Sequence, residues 1–254
     1  MSPVIHPKAY DVIVIGAGHA GIEAALASAR MNCRTLLLTM NVDTVGFMSC
    51  NPAVGGPAKS QLVREVDALG GQIGVSTDLT FLQMKTLNTA KGPAVWALRA
   101  QSDREQYHCV MKKIIEDQEG LDLKQAMVEE ILFDDSGNVT GVKTGLDLIY
   151  EGKTVVVTTG TFLKGLVHVG LKHTEAGRMG ELPAKGLSDS LKKAGLELGR
   201  SLNLDIHRVF GGEVARKVSN KQFDAEVVAH RVVERQVQIV LVVEHGDQTE
   251  VGVE

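Results

Sequence analysis

Gly16-Ala17-Gly18-His19-Ala20-Gly21 spaces three glycines as the phosphate-gripping corner of dinucleotide-binding proteins does. Gly16 permits a tight turn, Gly18 lets backbone N–H groups approach a pyrophosphate, and Gly21 lets a helix lie close to a strand. A helix N-terminus there would offer N–H donors and partial positive charge to phosphates. A second chemical feature is Cys50, a thiol set before Asn51-Pro52 in a loop ending in Gly55-Gly56. Such a thiol could act as nucleophile or proton donor if cations or a helix end lowered its pKa. Lys59 is the nearest cation in sequence. The bland alternative is a cysteine buried as a small hydrophobe, in a loop that lines a cofactor with backbone groups.

The elements around the corner fit a βαβ unit. Val12–Ile15 reads as a buried strand, Ala20–Arg30 as a small-residue helix, and Thr35–Thr39 as the second strand. The carboxylate that usually ends the second strand, about 20 residues past the glycines, is replaced by Thr39-Met40-Asn41, whose side chains could contact a ribose. Two prolines and a glycine pair mark Phe47–Pro57 as an irregular shaped loop. Lys59–Leu69 returns to helical spacing, and Ala94–Glu116 reads as a helix with one charged face. Asp122–Gln125 is a short strand, and Met127–Phe133 with Val139–Thr144 forms a hairpin about the turn signal Asp134–Asn138. Lys153–Gly160 is a buried strand, and Leu187–Leu198 an amphipathic helix stopped at Gly199. After Arg200 the composition shifts towards valine, and the pattern becomes unreadable.

Composition narrows the function classes. A formal net charge of −4 gives no overall field that would attract nucleic acid, so any RNA contact needs a local basic patch. Cys33, Cys50 and Cys109 are too few and too scattered for a disulfide framework or a metal site, which fits a reducing compartment. The first residues carry no signal-peptide pattern, and no apolar run is long enough to span a bilayer. The expectation is a soluble, cytoplasmic protein without a metal and without a membrane contact.

Five blocks together resemble the MnmG family, also called GidA: the FAD-dependent tRNA uridine 5-carboxymethylaminomethyl modification enzymes. They are the glycine corner Gly16–Gly21, Met48–Gly56, Glu65–Gly71, Lys91–Arg104 and Thr158–Gly165. The corner alone is common to many flavoproteins; the Cys50–Gly56 and Lys91–Val95 blocks are far more specific. The resemblance runs from about Tyr10 to Arg200 and implies a Rossmann-like α/β FAD-binding domain, with a parallel sheet, flanking helices and a small antiparallel crossover sheet. It implies domains of 1–200, an incomplete FAD-binding domain, and 201–254, a divergent tail following a family N-terminal part. A reading-frame change is one way to produce such a tail.

The resemblance also implies FAD, NADH and methylenetetrahydrofolate as cofactors, tRNA as substrate, a homodimer, and the GTPase MnmE as partner. The FAD contacts it implies are Gly16, Ala17, Gly18, His19, Ala20 and Gly21 at the diphosphate, Val128 near the adenine, and Thr159 and Gly160 at a strand end. Asn51, Gly55 and Gly56 would line the isoalloxazine, with Cys50 as the catalytic candidate. Each has a structural alternative: a plain strand–helix junction for the glycines, a solvent-exposed ring for His19, a sheet-core position for Val128, and a strand terminus for Thr159-Gly160. Glu23 reads as a helix-dipole partner. Lys91, Arg99 and Arg104 could grip RNA or cofactor phosphates, or form a solvated face paired with Asp103 and Glu105. Cys33 and Cys109 read as structural. Two other functions stay open: a different FAD- or folate-dependent tRNA or NADH oxidoreductase, and a non-catalytic FAD-binding fragment.

Overall fold

The computed structural model describes residues 3–169, 172–178, 180–196, 198–206, 220–228 and 239–241. Two compact units divide the chain: Tyr10–Gln125, and Met1–Ala9 together with Ala126–Glu254. A short strand, β1 (Val4–Ile5), precedes the first of them.

The Tyr10–Gln125 unit is built on the βαβ pattern. Strand β2 (Tyr10–Ile15) leads into α1 (His19–Arg30), which returns to β3 (Thr35–Thr39). Ile13, Val14, Leu36 and Leu37 are fully buried, as a strand covered on both faces requires. Helix α1 buries Ile22, Ala25, Leu26 and Ala29, the i, i+3, i+4, i+7 stripe of an amphipathic helix. The small alanines let it pack closely. Next come β4 (Ala53–Gly55), α2 (Lys59–Ala68), α3 (Ile73–Thr80), β5 (Phe81–Leu87), β6 (Ala97–Ser102), α4 (Arg104–Asp117) and β7 (Leu121–Gln125). Strands β2 and β7 both run parallel to β3, one on each side. Tyr10 reaches across that sheet, its hydroxyl donating to Asp122 Oδ2 at 2.7 Å. Strands β4, β6 and β5 make a separate antiparallel sheet with β6 in the middle.

Two sequence expectations fail here. The loop at Phe47–Pro57 contains strand β4, because Ala53-Val54 can extend between Pro52 and Pro57 and pair with Gln101–Arg99. The single helix expected over Ala94–Glu116 is instead a 3-10 turn at Pro93–Val95, strand β6, and then α4. Asp103 makes the break: its side chain accepts the Gln106 N–H at 3.0 Å and caps α4.

The other unit holds β8 (Val128–Phe133), β9 (Val139–Thr144) and β10 (Leu148–Val157), an antiparallel meander. The β8–β9 hairpin and its Asp134–Asn138 turn stand where the sequence places them, with Gly137 at φ +85°. Strand β1 pairs in parallel with the start of β10. Strands β11 (Leu166–Val169) and β12 (Lys172–Glu175) follow, then α5 (Gly186–Lys193), β13 (Leu198–Ile206), β14 (Asn220–Val228) and β15 (Ile239–Leu241). β12, β11, β14 and β13 form an antiparallel sheet in that order. β15 pairs in parallel with the end of β10, Val155 to Ile239 and Val157 to Leu241. Helix α5 is shorter than the sequence suggests: the turn at Gly195, φ +84°, ends it before Leu198 begins β13. Ser190 of α5 fixes the helix to the meander by accepting the buried Ile131 N–H at 2.9 Å. The valine-rich stretches 229–238 and 242–253, which the sequence left unread, lie outside the described residues.

Among the described residues, no helix is long and apolar enough to cross a membrane. The chain is therefore an α/β protein with a parallel sheet, flanking helices and small antiparallel sheets, as the resemblance implies.

Candidate nucleotide-binding site

The glycine corner joins β2 to α1. Gly16 has φ +105°, a conformation L side chains rarely adopt, while its N–H donates to Leu38 O of β3 at 2.8 Å. That bond ends the β2–β3 ladder and turns the chain into the helix. Gly18 is the N-cap residue of α1, and no side chain caps the helix there. Ala17 and Gly21 are buried, whereas Gly16, Gly18, His19 and Ala20 stay half-buried. With no side-chain cap, the donors of the first turn of α1 belong to the backbone. A strand turned by glycine into an uncapped helix start is the pattern on which diphosphates bind in other proteins.

His19 differs from its expected exposure. Its ring packs on Tyr107 of α4 with centroids 5.6 Å apart, and its Nε2 is shielded from solvent. Thr39 and Asn41 also have local tasks: Asn41 Oδ1 accepts the Asp43 N–H at 2.8 Å, and the Thr39 hydroxyl donates to Asn41 O at 3.3 Å. Glu23 does not lie in the first turn of α1. Its carboxylate instead accepts the Gln72 and Ile73 N–H groups at 2.8 and 2.7 Å, so it caps α3. The sequence could not show this, because the partner helix lies 50 positions away at Ile73.

The Cys50 loop belongs to the same unit. Cys50 and Gly55 are half-buried, Asn51 is exposed and Gly56 is buried. Gly55 has φ +90°, and a Cβ there would lie 2.3 Å from Leu98 O. That oxygen accepts the Gly56 N–H at 2.7 Å, which holds the loop against β6. Arg104 Nη2 donates to Cys50 O at 3.4 Å, and its guanidinium lies 5.7 Å over the Phe47 ring. Arg104 thus braces the loop from beneath. Lys59 follows at the start of α2. Burial and the neighbouring Arg99 push its pKa down, and a Cys50 thiolate opposes that shift. Arg104 at the Cys50 carbonyl and Arg99 beside Lys59 add cations to the one that the sequence offered in this loop. Cys33 is half-buried, but Cys109 is exposed on α4, which does not fit a structural thiol.

The remaining candidates lie in the second unit. Val128 is 4% exposed and opens β8, opposite Thr144. Thr159 and the open Gly160, φ +53°, follow the end of β10 and start a 3-10 turn.

These features define an α/β protein of the Rossmann-like class, with a glycine-cornered helix start after its first buried strand. The family model of glucose inhibited division protein A matches residues 11–203, and the chain belongs to that family. It is 55% identical over 197 residues to the tRNA uridine 5-carboxymethylaminomethyl modification enzyme MnmG of Geotalea uraniireducens, covering 78% of this chain and 31% of that protein. The protein of the same name from Geobacter metallireducens is 56% identical over 200 residues, covering 79% and 32%. The chain thus spans about a third of the length of the curated relatives it matches. Among solved structures, Aquifex aeolicus GidA in its form II crystal superposes with a TM-score of 0.76 at 48% identity, over 79% of this chain and 33% of that one. The GidA-related protein from Thermus thermophilus shares the fold over 94% of this chain and 92% of its own, with a TM-score of 0.66 at 21% identity.

Proposed function

We propose that this chain is the FAD-binding part of an enzyme that places a carboxymethylaminomethyl group on C5 of a tRNA wobble uridine. The observation that carries this reading is the half-buried corner Gly16–Gly21, turned by a left-handed Gly16 into a helix without a side-chain cap. The names of the relatives supply the tRNA uridine chemistry. Gly16, Ala17, Gly18, His19, Ala20 and Gly21 would hold the diphosphate through backbone N–H groups. Val128, Thr159 and Gly160 would serve the rest of the dinucleotide, and Asn51, Gly55 and Gly56 the isoalloxazine. When bound, the flavin would supply hydride and one-carbon transfer chemistry, with NADH and methylenetetrahydrofolate as its sources. Cys50 would act as nucleophile or proton donor. A homodimer, the GTPase partner MnmE and a cytoplasmic location belong to the same reading.

A second reading is a flavin-binding unit without turnover of its own; the chain spans 31–32% of those relatives' length. Consumption of NADH by the purified chain, with and without tRNA, separates the two. The cofactor itself is tested with Gly18→Val. Gly18 has φ −72°, open to any L residue, so valine does not strain the backbone dihedral. The wild type should purify yellow or take up added FAD, and the variant should fold but stay colourless. A folded wild type that ignores FAD overturns the assignment.

A further inference from the structure

Helix α4 carries Arg104, His108 and Lys112 four positions apart, so the three share one stripe of its surface. All three are half-buried. Each holds the segment that leads from the end of β3 to the thiol. Lys112 Nζ donates to Asp43 Oδ1 at 2.8 Å. His108 Nδ1 donates to Val45 O at 2.7 Å, and Arg104 Nη2 to Cys50 O at 3.4 Å. Asp43, Val45 and Cys50 thus meet Lys112, His108 and Arg104 in turn. The segment lies along α4 as a strap, running in the opposite direction.

The strap also touches the glycine corner. The Gly46 N–H donates to Ala17 O at 3.0 Å. Gly46 has φ +62°, and a Cβ there would press on Met111 of α4 at 3.2 Å and on Ile22 of α1 at 3.3 Å. The strap is therefore pinched between the two helices. Tyr107, one residue before His108, packs on the His19 ring. One helix thus contacts the corner, the strap and the loop that bears the thiol. Of the strap's three ties to α4, the one to His108 is the shortest and stands in the middle. It is also the one that water cannot replace, since Val45 is fully buried while Asp43 is exposed. A carbonyl only accepts, so Nδ1 carries the proton in this bond.

We propose that His108 is a positioning residue: its bond to Val45 O seats the strap, and the strap keeps the glycine corner and the Cys50 loop in one register. The proposal rests on the reading above for the roles of the corner and of Cys50. It goes beyond that reading in naming the side chain that ties the two together. His108 acts through the strap and not on a reacting atom.

The test uses the full chain carrying Cys33→Ser and Cys109→Ser, which leaves Cys50 as its one thiol. The rate of thiol reaction with a chromogenic aromatic disulfide and the affinity for FAD are measured for two exchanges at His108. His108→Asn keeps the donor, because its amide nitrogen is bonded to Cγ as Nδ1 is. His108→Leu keeps bulk but loses the donor, leaving Val45 O buried and unpaired. The strap should then open more often, speeding the Cys50 reaction about tenfold and weakening FAD about tenfold. His108→Asn should bring both back to within about twofold of wild type. If His108→Leu does not fold, Lys112→Gln decides: it removes an exposed pair, and the thiol should react about twofold faster. A His108→Leu protein that only melts earlier, with thiol rate and FAD affinity unchanged, overturns the proposal. So do equal effects of Asn and Leu, or an unchanged rate in Lys112→Gln. A wild type that takes up no FAD, with thiol rates as expected, defeats the cofactor reading and supports the seating of the strap.

Discussion

Replacing Glu23 with alanine should destabilise the protein far more than its place on α1 alone would suggest. Its carboxylate makes three contacts to the start of α3: Oε1 to Gln72 N at 2.8 Å and Ile73 N at 2.7 Å, and Oε2 to Gln72 N at 3.0 Å. α3 has no cap of its own, and Gln72 is only 6% exposed, so water cannot replace the lost acceptor. A lost helix cap costs about 1–2 kcal/mol, and an unsatisfied buried donor about 1–3 kcal/mol. Together they give about 3 kcal/mol. For a domain of this size each kcal/mol lowers Tm by about 2–4 °C, so Tm should fall by about 6–12 °C. Glu23→Gln keeps an acceptor and loses only the charge, so about a third of that loss is expected. Arg30, at the other end of α1, donates to Gly70 O and to Gln72 Oε1, both at 2.7 Å. Arg30→Ala should therefore loosen the same α2–α3 joint. Thermal melts followed by circular dichroism check all three. A Glu23→Ala protein that melts within about 1 °C of wild type refutes the capping argument.

Gly55→Ala should destabilise by about 3 kcal/mol, because it combines a left-handed φ with a Cβ placed 2.3 Å from Leu98 O; urea unfolding measures it, and a loss below ~1 kcal/mol would mean that the loop simply shifts. Asp134 should titrate below the usual carboxylate range, held there by the Asn138 side chain and by the N–H groups of Asn138 and Ser136. Since the folded pKa is the lower one, its support of the hairpin is complete above about pH 3.9 and disappears as pH falls through the folded value. A carboxyl NMR titration checks this, and a midpoint at or above the ordinary value contradicts it.

Much of the glycine corner is legible in sequence because its information is local. A buried strand, three glycines and an alanine-rich helix each follow from neighbours within a few positions, and β2, α1 and β3 stand where the pattern puts them. β5 is invisible for the opposite reason. Phe81 to Thr86 are all exposed, so no alternation of apolar and polar residues marks the strand. Lys85 and Arg99 likewise meet only through strand pairing. Glu23 looks like a dipole partner until α3 is seen against it. At His19 the residue type was no guide: Tyr107, on a helix far along the chain, draws the ring away from solvent. The Ala94–Glu116 stretch misleads because its apolar spacing passes unbroken through Asp103, and only the cap geometry shows that a new helix starts there.

The pairing of β15 with β10 has a consequence for biosynthesis. Val155 must wait for Ile239, so that edge of β10 stays bare until more than eighty further residues have been made. Contacts so distant in sequence form slowly, and an uncovered strand is sticky in the meantime. During translation the nascent chain would be most vulnerable to aggregation in that interval, and chaperone dependence should fall sharply once residues 239–241 are free to fold.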